Sequence, residues 1–245
     1  MELDDRVALV TGANRGIGAA TAERLAGAKI KVAVGYGHDE EAAVRVVEKI
    51  EASGGRAVAV AGDVGDPQQI EQMASKVEYL LGPVDILVSN AGVARVKELE
   101  EITVEDWDEV IAINLRPAFL LTKRLTPGMR ERGWGRVIFV SSVAAFTGGI
   151  IGPHYTASKA ALIGLAHALA NPLATHGVTV NAIAPALIET EMLPGDAGAQ
   201  SELAAKIPVG RLGRPEEVAE AVFSLVSNPY VTAQTVSVDG GMYPR

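Results

Sequence analysis

The chain has no cysteine, which excludes disulfide staples and thiolate metal sites alike. It has no basic surplus either: 22 Lys and Arg stand against 30 Asp and Glu, a net charge of −8. A nucleic-acid binder carries a basic excess or stripe to meet phosphate, and neither is present. No apolar run reaches membrane-spanning length. The opening MELDDRVALV is acidic with only a short apolar stretch, unlike a signal peptide, so a cytoplasmic protein is expected. The histidines, His38, His154, His167 and His176, lack metal-ligand spacing, and no metal is expected. No Pro/Gly/Ser linker or charge block divides the 245 residues. One domain over 1–245 is therefore expected, large enough to be stable without staples.

What is present is alternation. Strand-like runs fall at 6–10, 30–36, 56–61, 85–89, 136–141, 178–184 and 235–239. Helical patterns fall near 16–27, 39–53, 67–81, 103–131, 155–175 and 215–227. Such alternation predicts an α/β fold: a doubly wound parallel sheet of about seven strands between two helical layers. Ligands bind such sheets at the carboxyl ends of the strands. The glycine turn at 11–18, Asp63, Asn90 and Ser142 all fall at those ends.

The first strand runs into TGANRGIG, residues 11–18, and a helical pattern follows. A strand, a glycine turn and a helix amino terminus present free N–H groups and a helix dipole to a phosphate. Gly12 allows the turn, Gly16 lets the backbone approach a pyrophosphate, and Gly18 lets helix and strand pack closely. The spacing is G-xxx-G-x-G rather than the general dinucleotide pattern.

Downstream, Tyr155 and Lys159 lie one helical turn apart, on the same face, and Ser142 ends the apolar run Val137–Val140. A free phenol, with a pKa near ~10, is a poor acid or base at neutral pH. An ammonium about 4 Å away favours phenolate by roughly 4 kcal/mol, on the order of three pK units. Lys159 is thus expected to bring Tyr155 into the range of general acid–base catalysis. Ser142 is expected to donate to a carbonyl oxygen as charge develops there. Taken alone, Tyr-x-x-x-Lys also describes two ordinary residues on an exposed helix.

These residues together resemble the short-chain dehydrogenase/reductase family. TGANRGIG is similar to that family's cofactor signature, Asn90-Ala91-Gly92 to its motif after the fourth strand, and Asn114, Ser142, Tyr155 and Lys159 to its catalytic tetrad. The resemblance runs from Val7 to Gly241 and is strongest to 3-oxoacyl-(acyl-carrier-protein) reductases. It implies a Rossmann-type fold, with Gly12, Asn14, Arg15, Gly16, Ile17 and Gly18 around a dinucleotide. It also implies that Asp63 meets the adenine, Val64 lies beneath it, and Pro185, Ile188 and Thr190 line the cofactor. Tyr155 and Lys159 touch the cofactor too, while Ser142, Tyr155, Ala186 and Leu187 face the substrate. Asn114, mid-helix, would hold a helix distortion and a water linked to Lys159. A homotetramer using helices near 103–131 and 155–175 is a further implication.

NAD-selective members carry an acid near the end of the second strand; here Tyr36 stands at that place, and Asp39 reads as a helix cap. Arg15, with His38 assisting, suits a 2′-phosphate, so NADP(H) is expected over NAD(H). Residues 187–210, including Leu193, Pro194, Gly195 and Gly198, read as a flap over substrate. Val143, Phe146, Ile150 and Ile151 suggest an apolar wall, and His154 is expected to be exposed or hydrogen-bonded.

Some residues depart from the family's pattern. Ala186 and Ala233 stand where glycine is usual, and Pro172 is expected to end the long helix early. His176 replaces an Arg used to dock an acyl-carrier protein. Arg124, Arg130, Arg132 and Arg136 suggest either a compensating basic patch or a solvated helix end. The leading expectation is NADPH-dependent reduction of a ketone, with a 3-oxoacyl thioester as substrate class. An NAD-linked dehydrogenase of a secondary alcohol, sugar or polyol stays open, as does a non-catalytic cofactor-sensing scaffold.

Overall fold

A computed structural model describes residues 3–193 and 197–243. Seven parallel strands form one sheet in the order β3-β2-β1-β4-β5-β6-β7. They are β1 (Val7–Val10), β2 (Lys31–Tyr36), β3 (Arg56–Ala61), β4 (Ile86–Ser89), β5 (Gly135–Val140), β6 (Val178–Pro185) and β7 (Thr235–Val238). Because strand side chains alternate in direction, one sequence run serves two cores. Val7, Leu9, Leu87, Val137 and Phe139 pack beneath α3 (Pro67–Leu81), α5 (Arg116–Glu131) and α7 (Pro153–Ala174). Ala8, Val10, Ile86, Val88 and Ile138 pack beneath α1 (Gly16–Ala26), α2 (Glu40–Ala52) and α9 (Pro215–Ser227). Both faces are therefore covered, as a parallel sheet requires. The chain winds outward through β2 and β3, then crosses back to β4, so a switch point opens between the carboxyl ends of β1 and β4.

The helix expected over 103–131 is two helices, α4 (Val104–Asn114) and α5, which meet at Leu115. Pro117, in the first turn of α5, has no N–H to donate to the Ile113 carbonyl, so the helical ladder breaks there. Asn114 is accordingly the last residue of a helix, not a mid-helix residue. Pro172 does not end α7 early: the helix continues to Ala174. In that last turn the proline forfeits only the bond to the Ala168 carbonyl. Two short helices were not legible in the pattern, α6 (Ala144–Thr147) and α8 (Ala197–Ala205), the latter inside the expected flap. Pro194 and Gly195 lie outside the described residues, whereas Gly198 belongs to α8.

The four arginines of the suggested basic patch are dispersed. Arg124 pairs with Glu71 and Glu78, Arg132 with Asp85, and Arg130 meets the His176 ring at 3.1 Å. Arg136 is buried, donating to the Val226 and Gly135 carbonyls at 3.0 and 2.7 Å. His154 departs from expectation as well. It is fully buried, and neither ring nitrogen has a hydrogen-bond partner among the described residues.

Ala233 shows what its departure costs. The turn before β7 is held by Asn181, which accepts from the Gln234 N–H and donates to the Val231 carbonyl. That turn places Ala233 at φ 58°, where a Cβ is disfavoured by about 1–2 kcal/mol. Glycine restores part of this, less its greater freedom when unfolded. Ala233→Gly is expected to stabilise the protein by about 0.5–1 kcal/mol; denaturant unfolding that shows a loss would refute the strain.

Candidate active site

At the switch point, Gly12 (φ 61°) and Gly16 (φ 54°) take left-handed conformations. A Cβ on Gly12 would lie 2.9 Å from the Ala91 Cα, and one on Gly18 would lie 2.6 Å from the Asn90 Nδ2 and strike the Gly12 carbonyl. The two loops approach this closely because Thr11 and Asn90 stitch them. Asn90 donates to the carbonyls of Thr11 and Gly12, both at 3.0 Å. The Thr11 hydroxyl accepts the N–H groups of Asn90 and Ala91 at 3.0 and 3.1 Å. Thr11 was not singled out in the sequence, although it is the tie on which the turn depends.

The amino terminus of α1 has no side-chain cap and no acidic residue in its first turn. By contrast, α2, α3 and α4 are capped by Asp39, Asp66 and Thr103. A glycine cradle that a Cβ would fill, ending at an uncapped helix start, fits the pyrophosphate of a dinucleotide. Gly92 extends the cradle: a Cβ there would lie 3.2 Å from the Asn114 Oδ1 and 3.4 Å from the Lys159 Nζ.

The residues expected at the adenosine end are more entangled. Asp39 caps α2, accepting from the Ala42 N–H at 3.0 Å. Tyr36, half a turn earlier, is buried, and its phenol is raised first by burial and then by the neighbouring Glu40 carboxylate, which also accepts its hydrogen bond. Arg15 is exposed and paired with Glu191 at 2.6 Å, so it bridges the glycine turn to the segment after β6. Asn14 reaches the His38 carbonyl at 3.5 Å. Asp63 is exposed and turns back on its own loop, accepting from the Gly65 N–H at 2.8 Å. Val64 packs against the core beneath.

Ser142, Tyr155 and Lys159 converge on one cavity of about 360 Å³. Tyr155 is 6% and Lys159 5% exposed. The Ser141 hydroxyl, donating to the Lys159 carbonyl at 2.7 Å, pins α7 to the end of β5. The Lys159 ammonium donates to the Val140 carbonyl at 2.9 Å and stands 5.7 Å from the Tyr155 ring centroid. Asn114 is buried, accepting from the Val93 N–H at 2.8 Å and donating to the Ser158 hydroxyl at 3.1 Å. Ser158 donates in turn to the Tyr155 carbonyl at 2.7 Å. Asn114 therefore locks the loop after β4 to the helix that carries Tyr155. Ser141 and Ser158 carry no sequence signal of their own; each acts through a backbone carbonyl across the fold.

The electrostatics correct one expectation. Burial pushes the Tyr155 phenol up, opposed by its hydrogen bond with Ser142, and burial brings the Lys159 ammonium down to about 8. Burial, the leading cause for both groups, sets the direction of each shift, and the Lys159 charge does not bring the phenol down. At neutral pH the arrangement is a protonated phenol beside an ammonium, poised to give a proton rather than take one.

The same cavity is lined by Ile17, Asn90, Gly92, Pro185, Ile188 and Thr190, by Val143, Ile150 and Ile151, and by Ala186 and Leu187. Phe146 is not a lining residue. Met192, Leu193, Leu203, Lys206, Met242 and Tyr243 join the lining; the first four fall within the expected flap, whereas Met242 and Tyr243 were not anticipated. No group of three His, Asp or Glu side chains suited to a metal occurs among the described residues. No helix there is long and apolar enough to cross a membrane.

Comparison with known proteins agrees with this geometry. A family model described as short chain dehydrogenase matches residues 6–199. The 3-oxoacyl-[acyl-carrier-protein] reductase of Synechocystis sp. is 42% identical over 243 residues, spanning 98% of each chain. The acetoacetyl-CoA reductase of Rhizobium meliloti is 44% identical over 243 residues, 97% of this chain and 98% of that one. The crystal structure of a blue fluorescent protein from a metagenomic library, in complex with NADPH, superposes with a TM-score of 0.93 at 36% identity over the full length of both chains.

Proposed function

Because the chain belongs to the short-chain dehydrogenase family and is an NAD(P)-dependent oxidoreductase, we propose that it uses NADPH to reduce a ketone, with a 3-oxoacyl thioester as the substrate class. One observation carries this reading: a buried, protonated Tyr155 phenol, bonded to Ser142, faces a cavity that opens onto the glycine cradle. Gly12, Gly16, Gly18 and Asn90 would hold a nicotinamide dinucleotide, which would supply the hydride for the carbonyl carbon.

Tyr155 gives its proton to the carbonyl oxygen, and Ser142 steadies that oxygen as negative charge grows on it. Lys159 holds its charge below about pH 8 and orients the nicotinamide ribose. Asn114 positions the relay through Ser158. Leu187 and Leu193, in the segment after β6, supply apolar cover for the substrate. The exposed Trp107 and Phe119, on α4 and α5, support a homotetramer buried at those helices.

NADPH is favoured by Tyr36 at the place of the ribose-binding acid and by Arg15 in the glycine turn. The NADPH complex of the structural neighbour points the same way. The Glu40 carboxylate at Tyr36 and the Arg15–Glu191 pair support a second reading, NAD-linked oxidation of an alcohol. Acetoacetyl-CoA reduction followed with each reduced cofactor separates the two. The first reading expects kcat/KM with NADPH at least about tenfold above that with NADH; the reverse ratio selects the second. Cofactor binding without turnover of any carbonyl or alcohol would leave a sensing scaffold.

A further inference from the structure

Among the described residues, the lining of the cavity around Tyr155 carries two ionisable cations and no carboxylate. Its charged lining residues are Lys159 and Lys206, in a chain with eight more acidic than basic residues. Lys159 sits at the buried end, committed to the Val140 carbonyl. Lys206 is exposed and follows α8, where its N–H donates to the Leu203 carbonyl at 3.1 Å. It lines the cavity from an exposed position. Nearby cations are occupied: Arg15 pairs with Glu191, and Arg211 with Glu217, each at 2.6 Å. Lys206 forms no ion pair among the described residues. Much of the remaining lining is apolar, with Val143, Ile150, Leu187, Leu193 and Leu203 among it.

A site that combines a buried proton donor, apolar walls and an exposed ammonium without an ion pair among the described residues suits a ligand that carries a carbonyl, an apolar stretch and an anion. We propose that Lys206 pairs with an anionic group carried by the substrate beyond its reacting carbonyl. The inference rests on the ketone-reductase reading and narrows it: an acidic keto compound is preferred over a neutral one of equal length. The anion is either the phosphate of a thioester carrier or a carboxylate on the substrate itself, and the same ammonium serves both. An overall acidic protein gains most from one local cation, since the surrounding field repels such a substrate everywhere else.

The test uses two matched pairs with NADPH: acetoacetyl-CoA against its neutral N-acetylcysteamine thioester, and 5-oxohexanoate against its methyl ester. Lys206→Met is expected to lower the anionic-to-neutral ratio of kcat/KM by about tenfold, through KM, the scale of one partly solvated charge-assisted contact. Lys206→Glu is expected to lower it further and Lys206→Arg to retain it. The pair whose ratio falls identifies phosphate or carboxylate. Ratios within about twofold of wild type in both pairs, with Lys206→Met folded by its melting temperature, overturn the proposal. If wild type turns over none of the four, the reductase reading fails by itself. Calorimetric binding of coenzyme A and 5-oxohexanoate then decides: weakening of about tenfold in Lys206→Met upholds the lysine's role, and equal affinity or no binding overturns it.

Discussion

Tyr155→Phe is expected to lower kcat by about 10³-fold, within the range for losing a positioned general acid, while the dissociation constant for NADPH changes by less than about threefold. The phenylalanine keeps the ring against α7 and the cavity wall and removes only the proton. Ser142 still accepts the Ala144 N–H at 3.1 Å, so its hydroxyl stays in place. Steady-state cofactor oxidation and cofactor fluorescence titration report the two quantities separately. Retained turnover would show that another group, or water, protonates the oxygen. Loss of cofactor affinity in parallel would make Tyr155 a binding residue first.

Lys159→Met is expected to abolish measurable turnover and yet make the protein more stable. The ammonium titrates at about 8 in the fold against its usual 10.5. That gap of roughly 2.5 units is a burial penalty on the order of 3 kcal/mol at neutral pH. Methionine removes the penalty and fills nearly the same volume. It also forfeits the bond to the Val140 carbonyl, worth about 1 kcal/mol. The net gain is about 2 kcal/mol, or roughly 4–8 °C in Tm for a chain of this size.

The pH dependence separates this from ordinary repacking. Between the folded and unfolded pKa values the unfolded chain holds the proton and the folded chain does not, so wild-type stability rises with pH there. The advantage of Lys159→Met should be full below about pH 8 and shrink as pH climbs toward 10.5. A variant that melts lower than wild type at pH 7 would contradict the burial argument. So would an advantage indifferent to pH. The general point is that this site holds a charged group where the fold alone prefers none, a cost that only function explains.

The strands were legible because a parallel sheet covered on both faces makes continuous apolar runs, as in Val7–Val10 and Val137–Val140. The glycine turn and the Tyr155–Lys159 pair were legible because each is a local pattern, one of backbone conformation and one of a helical turn. The break at Leu115 was missed because α4 and α5 continue one amphipathic pattern, and a single proline decides where the ladder parts. His154 was misjudged for a different reason: its burial depends on what packs over the start of α7, which no neighbour in sequence reports. Thr11, Ser141 and Ser158 were invisible because their hydroxyls act on carbonyls or loops brought close only by the sheet.

By itself the amino-acid sequence determined the layering, the strand ends and the pairing of Tyr155 with Lys159 on one helix face, because each depends on residues within a few positions of one another. Tertiary structure alone decided what surrounds that pair. Burial, a property of distant chain segments meeting, kept the phenol protonated, brought the ammonium down, and set Lys206, Met242 and Tyr243 around the same cavity.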